Sequence, residues 1–133
     1  MGTQLTTGHR WLIAMLCVLA VAGCSAQLEQ RAAPMRVQST NLSYVLQNSV
    51  ELKAARAART ELRAGTRWTK IGEIEQGDVY ETKDQVVIVN SFDVHEASIV
   101  VANQSVVGYY LKIENAFVAV EPVPIVLSRE TQE

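Results

Sequence analysis

Twelve Lys and Arg against 14 Asp and Glu in 133 residues leave a formal charge of −2, which argues against a polyanion such as nucleic acid as a partner. A hydrophobic content of 48% with seven glycines and three prolines excludes a disordered or collagen-like chain, and the length allows one domain but hardly two. With two cysteines and two histidines in all, thiol and metal chemistry are restricted from the outset.

The chain starts with a polar stretch, Met1 to Arg10, followed by an unbroken apolar run of 12 residues from Trp11 to Ala22. As a helix that run would be about 18 Å long, against the ~20 residues needed to cross a ~30 Å hydrocarbon core, so a transmembrane span is not expected. Its layout is that of a signal peptide. The run closes on Val21-Ala22-Gly23-Cys24, and these four residues resemble the lipobox of bacterial lipoproteins. Members of that family are cut before the cysteine and acylated on it. The resemblance implies a leader over residues 1–23, with Val21, Ala22 and Gly23 recognised by the signal peptidase. It also implies a diacylglycerol and an N-acyl chain on Cys24, and no other cofactor. Ser25 stands where an aspartate would retain such a protein at the inner membrane, so the implied address is the periplasmic face of a Gram-negative outer membrane. A competing cut after Cys24-Ser25-Ala26, by an ordinary secretory peptidase, would release a soluble chain beginning at Gln27.

Cleavage before Cys24 would remove Cys17 and His9, leaving one acylated sulfur and no intramolecular disulfide. Residues 24–40, polar and without apolar period, are expected to be a tether. From 41 to 64 the residues Leu42, Val45, Leu46, Val50, Ala54, Ala58 and Leu62 recur at three-and-four spacing, with Asn41 as N-cap and Gly65 beyond the end. This pattern predicts an amphipathic helix, with a break near Asn48-Ser49 as the alternative.

After Gly65 the runs become short and rich in Val, Ile, Tyr and Trp, separated by turn signals at Gln76-Gly77, Lys83-Asp84, Ser91-Phe92-Asp93 and Asn103-Gln104. These are strands and hairpins. Asn103-Gln104 predicts a tight hairpin, with Val107, Tyr109, Leu111 and Ile113 on the core face of its second arm. Val86-Val87-Ile88-Val89 lacks alternation and predicts a central strand covered on both faces. Pro122 and Pro124 point to an edge, and residues 128–133 to a polar tail. The expected fold class is α+β: one helix packed on an antiparallel sheet of about four to six strands over residues 65–127.

His95 is the one histidine after the leader, too few for the usual zinc sites, and no Gly-x-Ser-x-Gly elbow accompanies it. Asp93 and His95, on one side of an extended segment, are weak metal candidates set against an ordinary surface turn. Glu73, Glu75, Asp78 and Glu81 crowd a turn and read as solvated surface rather than a glycosidase pair. An enzyme is therefore not expected. Charge divides along the chain: from Cys24 to Lys70 there are eight basic and three acidic residues, and from Ile71 onward three and eleven. On the expected helix Arg56, Arg59 and Arg63 share a face suited to headgroups or a partner, although pairing with acids of the sheet is the plainer role. Trp68 and Tyr110 are candidate partner contacts. The expectation is a non-enzymatic lipoprotein, held to the membrane by its lipid and binding another envelope protein as an assembly or secretion-complex accessory. The alternative is a module holding a lipid, glycan or peptide between helix and sheet.

Overall fold

The structure, a computed structural model, describes residues 28–38, 40–91 and 93–131. Cys24, Val21, Ala22, Gly23 and the rest of the leader lie outside these residues. Thirteen strands make up the described elements: β1 Arg31–Ala32, β2 Arg36–Val37, β3 Ser43–Leu46, β4 Val50–Leu52, β5 Thr60–Leu62, β6 Arg67–Ile74, β7 Gly77–Thr82, β8 Ile88–Asn90, β9 Val94–Glu96, β10 Ser98–Ala102, β11 Ser105–Leu111, β12 Ala116–Pro124 and β13 Leu127–Arg129. The fold is all-β and antiparallel, and the described residues contain no helix.

The expected helix over 41–64 is therefore overturned: this segment supplies β3, β4 and β5, and β4 pairs with β5 through Val50↔Leu62, Glu51↔Glu61 and Leu52↔Thr60. The sequence carries a second period, Val50-x-Leu52-x-Ala54, and all three side chains are buried. That alternation is the one the tertiary fold uses, because a two-residue period presents one face of the hairpin to the sheet below. The strong helix formers at 53–59 form only a tight turn, with Ala57 N–H donating to the Ala54 carbonyl at 3.4 Å and Arg56 in the left-handed region at φ 62°. Asn48 and Ser49 divide the segment further. The Asn48 carboxamide oxygen accepts from Val126 N–H at 2.9 Å, and the Ser49 hydroxyl oxygen accepts from Ala64 N–H at 2.9 Å. Gly65, expected as a helix cap, instead closes the turn into β6 at φ 87°.

The main sheet runs β1-β12-β11-β10-β7-β6-β3-β13, with β2 also on β6, and two small sheets, β4-β5 and β8-β9, complete the fold. Six strand intervals separate β12 from β13 in that order, about 29 Å if the sheet were flat. Yet only Ile125 and Val126 connect them, a reach of about 11 Å. The sheet must therefore be strongly rolled. Ile125 belongs to the larger of two apolar clusters, with Leu46, Leu52, Leu62, Trp68, Tyr109 and Leu111, so this cluster lies on the face that the β12–β13 connection closes over. The opposite face carries the smaller cluster of Ala33, Ile74, Val79, Val100, Tyr110 and Phe117. Both faces of β11 are thus covered, which explains how adjacent Tyr109 and Tyr110 are each 1% exposed.

A register shift between Val106 and Gly108 puts Val106 on the larger cluster and Val107 on the smaller. Val107 thus departs from the expected face, while Tyr109 and Leu111 keep it, and Ile113 is 92% exposed. Asn103 and Gln104 form the expected turn, with φ 51° and 62° and Ala102↔Ser105 flanking it; positive φ at both central residues matches the right-handed twist of the hairpin. Val86 to Val89 do not form a central strand. Val87 and Val89 are buried, while Val86 and Ile88 face outward from the β8–β9 hairpin, a one-sided alternation that the run of apolar residues hides. Within the span expected as a tether, Leu28 and Ala33 are buried and β1 and β2 pair with β12 and β6. Ser128 and Arg129, expected in a polar tail, pair with Val45 and Tyr44 of β3.

Candidate binding groove

The β7–β8 loop is pinned from both sides. Asp84 accepts from Arg67 backbone N–H at 2.9 Å and from its guanidinium at 3.1 and 2.9 Å; these bonds hold its carboxyl down at about 2. Gln85 accepts from Arg63 N–H at 3.1 Å and donates to the Glu61 carbonyl at 2.6 Å. The Thr82 hydroxyl donates to the Gln85 carbonyl. With both ends fixed, Val87 points into the core at 1% exposure and Val86 stands in solvent at 69%.

Facing this loop is the turn between β11 and β12. Asn115 adopts φ 50°, its side-chain oxygen accepts from Tyr110 Oη at 3.0 Å, and its carbonyl accepts from Ala33 N–H at 2.9 Å. Glu114 Oε1 lies 2.8 Å from His95 Nδ1, which ties the turn to β9. These contacts hold Ile113 outward.

Between loop and turn lies a groove of about 160 Å³. Val87, Ala97 and Ser98 contribute buried surface to it, Val86 and Ile113 flank it, and Glu81, Glu96 and Lys112 supply charge, with Lys112 Nζ 3.6 Å from Glu81. The arrangement suits an apolar side chain flanked by groups of either sign. Among the described residues no group of three or more His, Cys, Asp or Glu is placed to hold a metal.

The residues singled out from sequence are not brought together. Trp68 is fully buried, its indole N–H donating to Thr66 Oγ1 at 3.0 Å, and Tyr110 is buried on the opposite face of the sheet, so neither presents a surface to a partner. Arg56 and Arg59 lie in the β4–β5 connection, the latter 2.8 Å from Glu51, and Arg63 follows β5; all three are exposed, on a turn and strand ends rather than on a helix. Asp93 is exposed and precedes β9, and the carboxylate beside His95 is Glu114 instead. Sequence reading missed Val86 and Ile113 because both were assigned to the core. The polar neighbours Lys112, Glu114 and Asn115 were the available signal that Ile113 occupies a turn. Compared with known protein families, with curated proteins and with solved structures, the chain matches none.

Proposed function

We propose that the chain is a membrane-anchored, non-enzymatic lipoprotein on the periplasmic face of the outer membrane, whose β domain binds another protein of the envelope as an assembly or secretion-complex accessory. The anchor rests on the lipobox resemblance at Val21-Ala22-Gly23-Cys24. The binding role rests on one observation: the groove flanked by Val86 and Ile113, 69% and 92% exposed, on segments fixed by side-chain hydrogen bonds. Scattered exposed apolar residues need no explanation, but two of them bordering a concave, prearranged groove favour a partner's side chain there. A groove of about 160 Å³ is smaller than the ~300–1,000 Å³ of small-molecule pockets, so a peptide side chain fits it better than a lipid or glycan.

The test is a photo-crosslinking residue placed at Ile113 or Val86 in cells producing the full chain. Both positions should yield an adduct with the same envelope protein, and Ile113→Asp should abolish the adduct formed from position 86. Absence of any adduct at either position, with the protein folded and exported, would end the groove's claim to a partner. Replacement of Cys24 by alanine should remove palmitate labelling and membrane retention; a variant still in the membrane fraction would refute the anchor.

A further inference from the structure

A second concavity opens at the other end of β7 and β10. The groove takes Glu81 and Thr82 from β7 and Ser98 from β10, whereas this cavity takes Asp78 and Tyr80 from the first half of β7 and Ala102 from the end of β10. Ile125, Val126 and Leu127, where β12 passes into β13, supply the facing wall. Its volume is about 410 Å³, inside the ~300–1,000 Å³ of small-molecule pockets. The wall is fixed through its backbone. Ile125 N–H donates to the Gln104 carbonyl at 3.0 Å, Val126 N–H to the Asn48 carboxamide oxygen at 2.9 Å, and the Val126 carbonyl accepts from Gln47 N–H at 2.9 Å. A cavity held in shape beforehand loses little conformational freedom when it is filled.

Tyr80 is 8% exposed, yet its hydroxyl has no hydrogen-bond partner among the described residues. Its ring packs on Tyr44 and Trp68, with centroids 5.9 and 6.0 Å away, so the phenol is held in place by aromatic contacts alone. Burial, and after it the Asp78 carboxylate, push its pKa up. The hydroxyl therefore stays protonated and has a proton to donate. A buried donor without an acceptor is costly to the fold unless something else takes the bond.

Charge around the opening is balanced. Lys70 Nζ lies 3.2 Å from Asp78 and 3.0 Å from Glu73, and Glu73 is paired in register with Arg36 of β2. Two acids thus meet two bases, which favours neither an anion nor a cation. Ile125 is buried, Leu127 half-buried and Val126 58% exposed, an apolar wall with room in front of it.

We propose that this cavity binds a small, neutral, largely apolar molecule, and that the Tyr80 hydroxyl donates to a carbonyl or similar acceptor oxygen on it. The site stands apart from the partner groove and does not depend on the lipid anchor.

The test photolabels the full chain, purified in detergent as cells process it. Benzophenone is neutral and apolar, and its acceptor carbonyl adds to an adjacent C–H group under near-ultraviolet light. Phenyl(trifluoromethyl)diazirine is the matching photoreactive probe without an acceptor oxygen. Peptide mapping by mass spectrometry should find saturable adducts of both at Ala102, Ile125, Val126 or Leu127, and Ile113→Asp in the groove should leave them unchanged. Tyr80→Phe keeps the ring and should raise the half-saturating benzophenone concentration about two- to twelve-fold, the span of one net hydrogen bond, while that of the diazirine stays as it was. Ala102→Trp, with its strand content verified by circular dichroism, should lose both. Adducts at Val86 and Ile113 in place of the cavity wall, or none that saturate, overturn the site. Saturable labelling of the wall that Tyr80→Phe leaves unchanged, or weakens equally for both probes, overturns the donor role and the acceptor-bearing ligand with it.

Discussion

Replacing Leu52 by alanine separates the two foldings of residues 41–64. On a helix, position 52 falls about 200° round from Val50, away from the apolar stripe, and alanine there would be neutral or slightly favourable. In the hairpin, Leu52 is fully buried and packs in the same cluster as Leu46, Leu62 and Tyr109. The substitution removes three carbon groups at about 0.8 kcal/mol each, so roughly 2.4 kcal/mol of transfer free energy is lost. A cavity whose walls relax only in part brings the expected loss to between about 2.5 and 5 kcal/mol. For a domain of this size that lowers the melting temperature by roughly 10 °C or more. Urea unfolding followed by tryptophan fluorescence measures it, with far-UV circular dichroism to verify that strand content is retained. A change under about 0.5 kcal/mol in a folded variant would refute the hairpin's packing and with it the explanation for the missing helix.

Three other outcomes follow from the same packing. A Cβ on Gly108 would land on the Phe117 ring and the Val118 carbonyl oxygen, so Gly108→Ala should cost about 1–3 kcal/mol in urea unfolding; a neutral result would mean that β11 and β12 are not packed this closely. The Tyr109 hydroxyl is buried without a hydrogen-bond partner among the described residues, and burial pushes its pKa up and so disfavours its ionisation, while the nearby Thr60 hydroxyl, which donates to the Ile88 carbonyl at 3.3 Å, opposes that shift. Tyr109→Phe should leave stability unchanged or raise it by up to about 1 kcal/mol, and a clear loss would reveal a bond at that oxygen. Asp84, held at about 2 by Arg67, is more acidic folded than unfolded. Its contribution is therefore complete above about pH 4 and is lost as pH falls toward about 2. Asp84→Asn should flatten that part of an acid-unfolding curve, and an unchanged curve would show that the Arg67 contact does not persist in solution.

The antiparallel hairpins were legible in the sequence where chemistry is local. Asn103-Gln104 tolerates two left-handed residues, and Gln76-Gly77 separates two alternating runs, so β6 with β7 and β10 with β11 follow from turn residues and side-chain period alone. The residues bordering the groove were not legible. Whether Val86 and Ile113 point inward depends on what fixes their segments, and those contacts come from distant positions: Glu61 and Arg63 on Gln85, Ala33 and Tyr110 on Asn115.

Sequence by itself determined the β character after Gly65 and the turns at Gln76-Gly77 and Asn103-Gln104, each a property of neighbouring residues. It also carried the lipobox resemblance, which no contact within the domain alters. Tertiary structure decided the rest. Residues 41–64 hold a helical and a strand period at once, and an isolated helix of marginal stability loses to a hairpin that buries Val50, Leu52 and Leu62 against a ready apolar face. Adjacent tyrosines on β11 are both buried only because the sheet is covered on both sides, and Leu28 becomes part of the core only because β12 leaves an edge for β1 to occupy.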